Sequence, residues 1–157
     1  MYKRVLIPVD GSATAEAILP FILEIAGPLD FQVVLMRVIR PIPSIPAEDT
    51  TYVQFEPREL QEECETYLAG LATAMSAKGV RVTTRVRRGP AVDEILAAAR
   101  EESADLIAMT THGRTGPARL LFGSVAEGVL RHADVPVFIM REGARDVARR
   151  RPEAVAR

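Results

Sequence analysis

The chain has 157 residues, of which 48% are hydrophobic and 26% charged, and its 20 basic and 21 acidic side chains leave a formal net charge of −1. That length fits one domain able to bury a real core, and the near-neutral balance gives no global field to recruit nucleic acid or an anionic membrane. No apolar run approaches the roughly 18 residues of a membrane span, the five apolar residues before Asp10 are too few for a signal peptide, and the lone Cys64 excludes an internal disulfide or multi-cysteine zinc site and suits a reducing, cytoplasmic setting.

Val5–Val9 (VLIPV) is a continuous apolar run, as expected for a strand buried on both faces, and Asp10-Gly11-Ser12 ends it. Ala17, Ile18, Phe21, Ile22 and Ile25 form a helical stripe over Ala13–Ala26, which Gly27-Pro28 stops. Gln32–Ile39 (QVVLMRVI) is a second strand. Leu60, Cys64, Tyr67, Leu68, Leu71 and Met75 mark a long amphipathic helix that ends near Gly79, with Cys64 a small buried residue rather than a reactive thiol. Val80–Val86 alternates with a period of two, which predicts a strand with one wet face at a sheet edge; Arg81, Arg85, Arg87 and Arg88 belong to that exposed face. Ala91–Glu101 is a helix on Val92, Ile95, Leu96 and Ala99, and Asp105–Thr110 is a fourth strand. Ser124–His132 is a short helix, with His132 suited to the negative end of its dipole. Val135–Met140 (VPVFIM) is the fifth strand.

Strand and helix alternate throughout, which predicts an α/β fold with a single open parallel five-stranded sheet and helices on both faces. Ligands in such sheets sit past the carboxyl ends of the strands, where strand order reverses. Asp10 follows strand one and a glycine loop follows strand four, so the two line one crevice if those strands are neighbours. Arg40–Pro57, with Pro41, Pro43, Pro46 and Pro57, follows strand two on the same side and is either a surface excursion or a lid. Residues 1–142 form the domain, and Gly143–Arg157, rich in Arg and Ala but diluted by Asp146 and Glu153, is a solvated tail.

The glycine loop runs from Thr111 to Val125 (THGRTGPARLLFGSV). A strand, a glycine loop and a helix start together make an anion site: unpaired first-turn amides point outward, the helix dipole favours negative charge, and glycine lets the backbone approach a phosphate. The amides of Ser124, Val125 and Ala126 and the Ser124 hydroxyl are the candidate donors, with Arg114 and Arg119 adding charge. The alternative is local: Ser124 to Glu127 spells Ser-x-x-Glu, a capping box in which Ser124 caps its own helix. The loop lacks the lysine of a P-loop and is not GxGxxG, so neither a P-loop NTPase nor a dinucleotide dehydrogenase is indicated. His112 has no second His, Cys or acid at metal-ligand spacing, which favours a loop-orienting hydrogen bond. A receiver domain is rejected, because strand three ends Val86-Arg87-Arg88 without an acid and strand five ends Met140-Arg141 without a lysine.

VLIPVDGS near the start, VVLMRVI in strand two and THGRTGPARLLFGSVAEGVLRHADVPVFIM near the end together resemble the universal stress protein family over about Lys3 to Met140. The resemblance implies a Rossmann-like, adenine nucleotide alpha hydrolase-like domain. One branch of that family binds ATP through Gly-x-x-Gly, nine residues, then Gly-Ser or Gly-Thr. Gly113, the nine-residue gap and Gly123-Ser124 match, while Thr110 stands in place of the first glycine, where its side chain is expected to crowd the ribose or phosphate and weaken binding. The resemblance further implies that Pro8 and Asp10 lie beside the adenosine, Asp10 accepting from a ribose hydroxyl, and that Val38 touches the adenine. Met109 then brings backbone to the nucleotide, and Gly113, Gly123, Ser124, Val125 and Ala126 meet phosphates; Val9, Thr110, His112, Arg114 and Gly116 complete the implied nucleotide-binding set. The implied cofactor is ATP with Mg, for which Asp10 is the one candidate metal holder. For Asp10 a helix N-terminal acid beside Ser12 remains the alternative, and Pro8 and Val38 fit equally as core residues.

Strand five is apolar on both faces, and as the last strand it should form a sheet edge. Val135, Pro136, Val137, Phe138 and Ile139 therefore form a candidate homodimer interface, Pro136 fitting an edge because it lacks a donor; the alternative is an edge covered by the tail. Three functions stay open: an ATP-holding stress or signalling module acting on a protein partner, a slow ATPase without an obvious base, and a partner-binding module without nucleotide.

Overall fold

The computed structural model describes residues 2–41, 57–111 and 123–142. Five strands, β1 (Arg4–Pro8), β2 (Gln32–Ile39), β3 (Arg81–Arg88), β4 (Leu106–Thr111) and β5 (Val137–Arg141), form one parallel sheet in the order β3-β2-β1-β4-β5. The helices are α1 (Ala13–Glu16), α2 (Leu19–Leu29), α3 (Pro57–Ser76), α4 (Ala91–Glu101) and α5 (Ser124–His132). The architecture is the expected α/β one, with β3 and β5 at the two edges and β1 next to β4 at the reversal.

The apolar runs explain the layering. Val5, Leu6 and Ile7 of the central strand have no exposed surface, and successive residues feed opposite cores. Val5 and Ile7 join Val33, Leu35, Ile18, Ile22 and Leu68 on the face covered by α1, α2 and α3. Leu6 joins Val34, Met36, Ile107, Ile95 and Val129 on the face covered by α4 and α5. Truncating Leu6 to alanine would open a cavity at the centre of the second core, a loss of about 2–5 kcal/mol.

The expected boundaries of β1, β3 and β4 shift by one or two residues, and three differences are larger or have a clear local cause. The helix expected over Ala13–Ala26 is broken at Ala17-Ile18 into α1 and α2. Pro20 explains the break: it has no N–H for the carbonyl of Glu16, and its ring would collide with that carbonyl in a continuous helix. Gly27-Pro28 does not stop α2, which ends at Leu29, before Asp30 at φ 47°. Strand five begins at Val137, so Val135 and Pro136 precede it, although the Pro136 carbonyl still accepts from the Ile107 amide at 3.0 Å. Segment 42–56 of the proposed lid and tail residues 143–157 lie outside the described residues.

Candidate functional site

Because β1 and β4 are adjacent and their crossovers leave in opposite directions, the carboxyl rim opens a crevice between the turns that follow them. Its volume is about 250 Å³. Of the residues expected there, Pro8, Val9, Asp10, Val38, Met109, Thr110, Gly123, Ser124, Val125 and Ala126 line this crevice together. His112, Gly113, Arg114 and Gly116 lie outside the described residues. Ala15, Arg40, Ala91, Ile95 and Thr111 also line it and were not anticipated. Ala91 and Ile95 were legible as carboxyl-rim neighbours, since α4 starts where β3 ends. Arg40 directly follows β2 and, with Asp10, supplies the charge on the described wall.

The start of α5 is built by its neighbours. Gly123, not Ser124, is the N-cap, with φ −64° and ψ 154°, and no side chain caps the helix. The capping box therefore does not form: Glu127 instead pairs with Arg131 at 2.7 Å, while its amide donates to the Gly123 carbonyl at 2.9 Å. Thr111 anchors the turn, its buried hydroxyl accepting from the Gly123 amide at 3.2 Å. Among the described residues the amides of Ser124, Val125 and Ala126 find no partner, as first-turn amides do unless something outside the helix meets them. Among the described residues, nothing lies within 4 Å of a Cβ added at Gly123. The helix thus presents open donors and its positive dipole end on one side, with room among the described residues.

Asp10 occupies the opposite wall. The Ser12 amide (2.9 Å) and hydroxyl (2.6 Å) both donate to its Oδ1, and the same hydroxyl accepts from the Ala15 amide at 3.1 Å, capping α1. Ser12 uses only Oδ1, so the helix-supporting role does not itself occupy Oδ2. Burial pushes the Asp10 carboxyl up, but the Ser12 hydrogen bonds, its own amide and the Arg37 charge outweigh that effect and hold its pKa below the usual carboxylate value. The group is an anion at neutral pH.

Alternation along β4 puts Thr110 on the α1 side of the crevice it helps to line. Leu106 and Ala108 pack into the core under α1 and α2, whereas Ile107 and Met109 pack under α4 and α5. Thr110 shares the first of these faces, and its Oγ1 is buried without a hydrogen-bond partner. Among the described residues no group of three His, Cys, Asp or Glu side chains gathers as a metal site, and no helix is long and apolar enough to cross a membrane.

A family model described as the universal stress protein family matches residues 1–141. Universal stress protein MJ0531 of Methanocaldococcus jannaschii is 33% identical over 144 residues, covering 90% of this chain and 84% of its own. The solved structure of MJ0577, from the same organism, superposes with a TM-score of 0.70 at 26% identity, covering 90% of this chain and 96% of that one. A universal stress protein from Archaeoglobus fulgidus in complex with dAMP has the same fold, with a TM-score of 0.62 at 22% identity, covering 88% of this chain and 97% of that one.

Proposed function

The chain belongs to the universal stress protein family, and from that premise we propose that it is an ATP-binding member, a nucleotide-dependent stress-response module that changes its affinity for a protein partner when loaded. The observation that carries this reading is the start of α5, where the open amides of Ser124, Val125 and Ala126 stand beside the space left by Gly123. Those amides, with the Ser124 hydroxyl, bind phosphate oxygens. Asp10 accepts a ribose hydroxyl through Oδ2, Pro8, Val9 and Met109 flank the nucleoside, and Val38 meets the base. Gly113, Gly116, His112 and Arg114 belong to the same binding loop. Magnesium, where bound, would be held mainly by the phosphates and its own waters, with Asp10 the one carboxylate on the described wall that could meet that water shell. Thr110 directs its side chain to the α1 side, which is why it need not plug the phosphate wall.

With no base beside the phosphates on the described wall, hydrolysis is slow and storage of the nucleotide is the function. The outer edge of β5 pairs two copies, and the module works in the cytoplasm. A second reading, a dimeric partner-binding protein without nucleotide, is favoured by the departure at Thr110.

Titration calorimetry with ATP, cAMP and dAMP tests the proposal. The unmodified protein is expected to bind ATP. Gly123→Val is expected to lose about a hundredfold or more in affinity, the equivalent of two charge-assisted amide bonds at about 1.5–3 kcal/mol each. Unchanged affinity in a folded Gly123→Val protein contradicts the phosphate assignment, and brisk release of inorganic phosphate contradicts the storage role.

A further inference from the structure

The loop that carries Asp10 is held by α3, which covers the same face of the sheet as α1. Tyr67, on α3, donates its hydroxyl to Glu16 Oε1 at 2.6 Å across 51 positions of chain. Glu16 closes α1, a helix of four residues, and its amide donates to the Ser12 carbonyl at 3.1 Å. Ser12 in turn makes both hydrogen bonds to Asp10 Oδ1. A second link runs beside the first. The Arg37 guanidinium lies over the Tyr67 ring, 5.0 Å from its centroid. It also sits 3.7 Å from the place a Gly11 Cβ would take. Gly11 has φ +86°, a conformation that suits glycine, so the turn is fixed in shape and backed by Arg37. Burial and Glu16 push the Tyr67 hydroxyl's pKa up, Arg37 and the Gly11 amide opposing them, so it stays a donor.

Such a short helix has little stability of its own. Its contacts must set where Ser12, and through it Asp10, stands. We propose that Tyr67 is a positioning residue for the ribose: through Glu16 and Ser12 it aims Asp10 Oδ2 into the crevice, although Tyr67 itself is not among the residues that line it. This rests on the ribose role proposed for Asp10.

The test compares ATP with 2′,3′-dideoxy-ATP by calorimetry on the full chain and on Tyr67→Phe, Glu16→Ala and Glu16→Gln. A general loss of stability weakens both ligands alike; misplacement of Asp10 weakens only the one that carries the hydroxyls. The unmodified protein is expected to prefer ATP, and Tyr67→Phe to shrink that preference about fivefold, as for loss of one hydrogen bond, with the dideoxy affinity unchanged. Glu16→Ala is expected to do the same, and Glu16→Gln, which still accepts, to restore most of the preference. Equal affinities in Tyr67→Phe and the unmodified protein overturn the inference, as does equal weakening of both ligands. If the unmodified protein binds neither ligand, the nucleotide proposal itself fails and the inference falls with it.

Discussion

Gly123 has backbone angles that any L-residue adopts, and a Cβ there meets no described residue within 4 Å. Neither its conformation nor packing against the described residues requires glycine, so its role is read as keeping room next to the helix amides. Gly123→Val is therefore expected to melt within a degree or two of the unmodified protein while losing ATP. Differential scanning fluorimetry with and without ATP checks both halves. Asp10 makes a different prediction. Its folded-state pKa lies below the ordinary value, so the anion is favoured by folding. Stability from this group is present above the unfolded pKa of about 3.9 and is lost as pH falls through the lower folded value. The melting difference between Asp10→Asn and the unmodified protein should hold steady from about pH 8 to about pH 5 and shrink only below about pH 4. A difference that fades near neutral pH would mean that Asp10 is not held as described. At this scale the sequence was legible where residue type and chemistry coincide, as at Asp10 and Gly123. It was not legible at Thr111, whose role depends on β4 running one residue further than its apolar run suggests.

Helix α5 is placed by its contact with α4. A Cβ on Gly128 would come within 2.7 Å of the Val92 Cγ2, so the glycine lets two helices approach closely beside the crevice. Gly128→Ala gains helix propensity of about 1 kcal/mol but forces an overlap that typically costs about 1–3 kcal/mol. We expect net destabilisation and weaker ATP binding as the Ser124 end shifts. Adding Val92→Ala should remove the overlap and leave the propensity gain, so the pair is non-additive in chemical denaturation; additivity would show that the helices do not press on each other there. Element types were legible throughout, and α4 and α5 match their expected ranges, because strong apolar periodicity marks them. Boundaries failed where a single backbone group decided the outcome. Pro20 breaks the first helix although the apolar stripe continues through it, and Gly123 takes the cap that Ser124 seemed placed for because Thr111 reaches the turn first.

Across the whole molecule, the two sheet edges differ in chemistry. β3 is guarded by charge: Arg87 is shared by Glu94 at 2.9 Å and Glu101 at 2.6 Å, and Arg85 pairs with Glu102. Among the described residues β5 has no such guard along Val137, Phe138 and Ile139, which are only partly buried. The Pro136 carbonyl and the Glu142 amide bond to β4, so by alternation the Ile139 amide faces the outer edge. If β5 pairs two copies, Ile139→Pro should remove that donor, leave the β4–β5 ladder intact and turn a dimer into a monomer in light scattering. A dimer that survives the change pairs elsewhere. Strand order was legible in part: right-handed crossovers admit few arrangements, and the edge positions of β3 and β5 were expected, but the β1–β4 adjacency entered only as a condition that the structure meets. The site as a whole was legible mainly through that resemblance, since local pattern left phosphate binding and self-capping equally open. The central claim is that helix α5 grips phosphate with its open amides, and ¹⁵N-resolved NMR of the amides during an ATP titration tests it most directly. Saturable shifts at Gly123, Ser124, Val125 and Ala126, absent with adenosine, are expected; amides that stay still at saturating ATP would contradict the account.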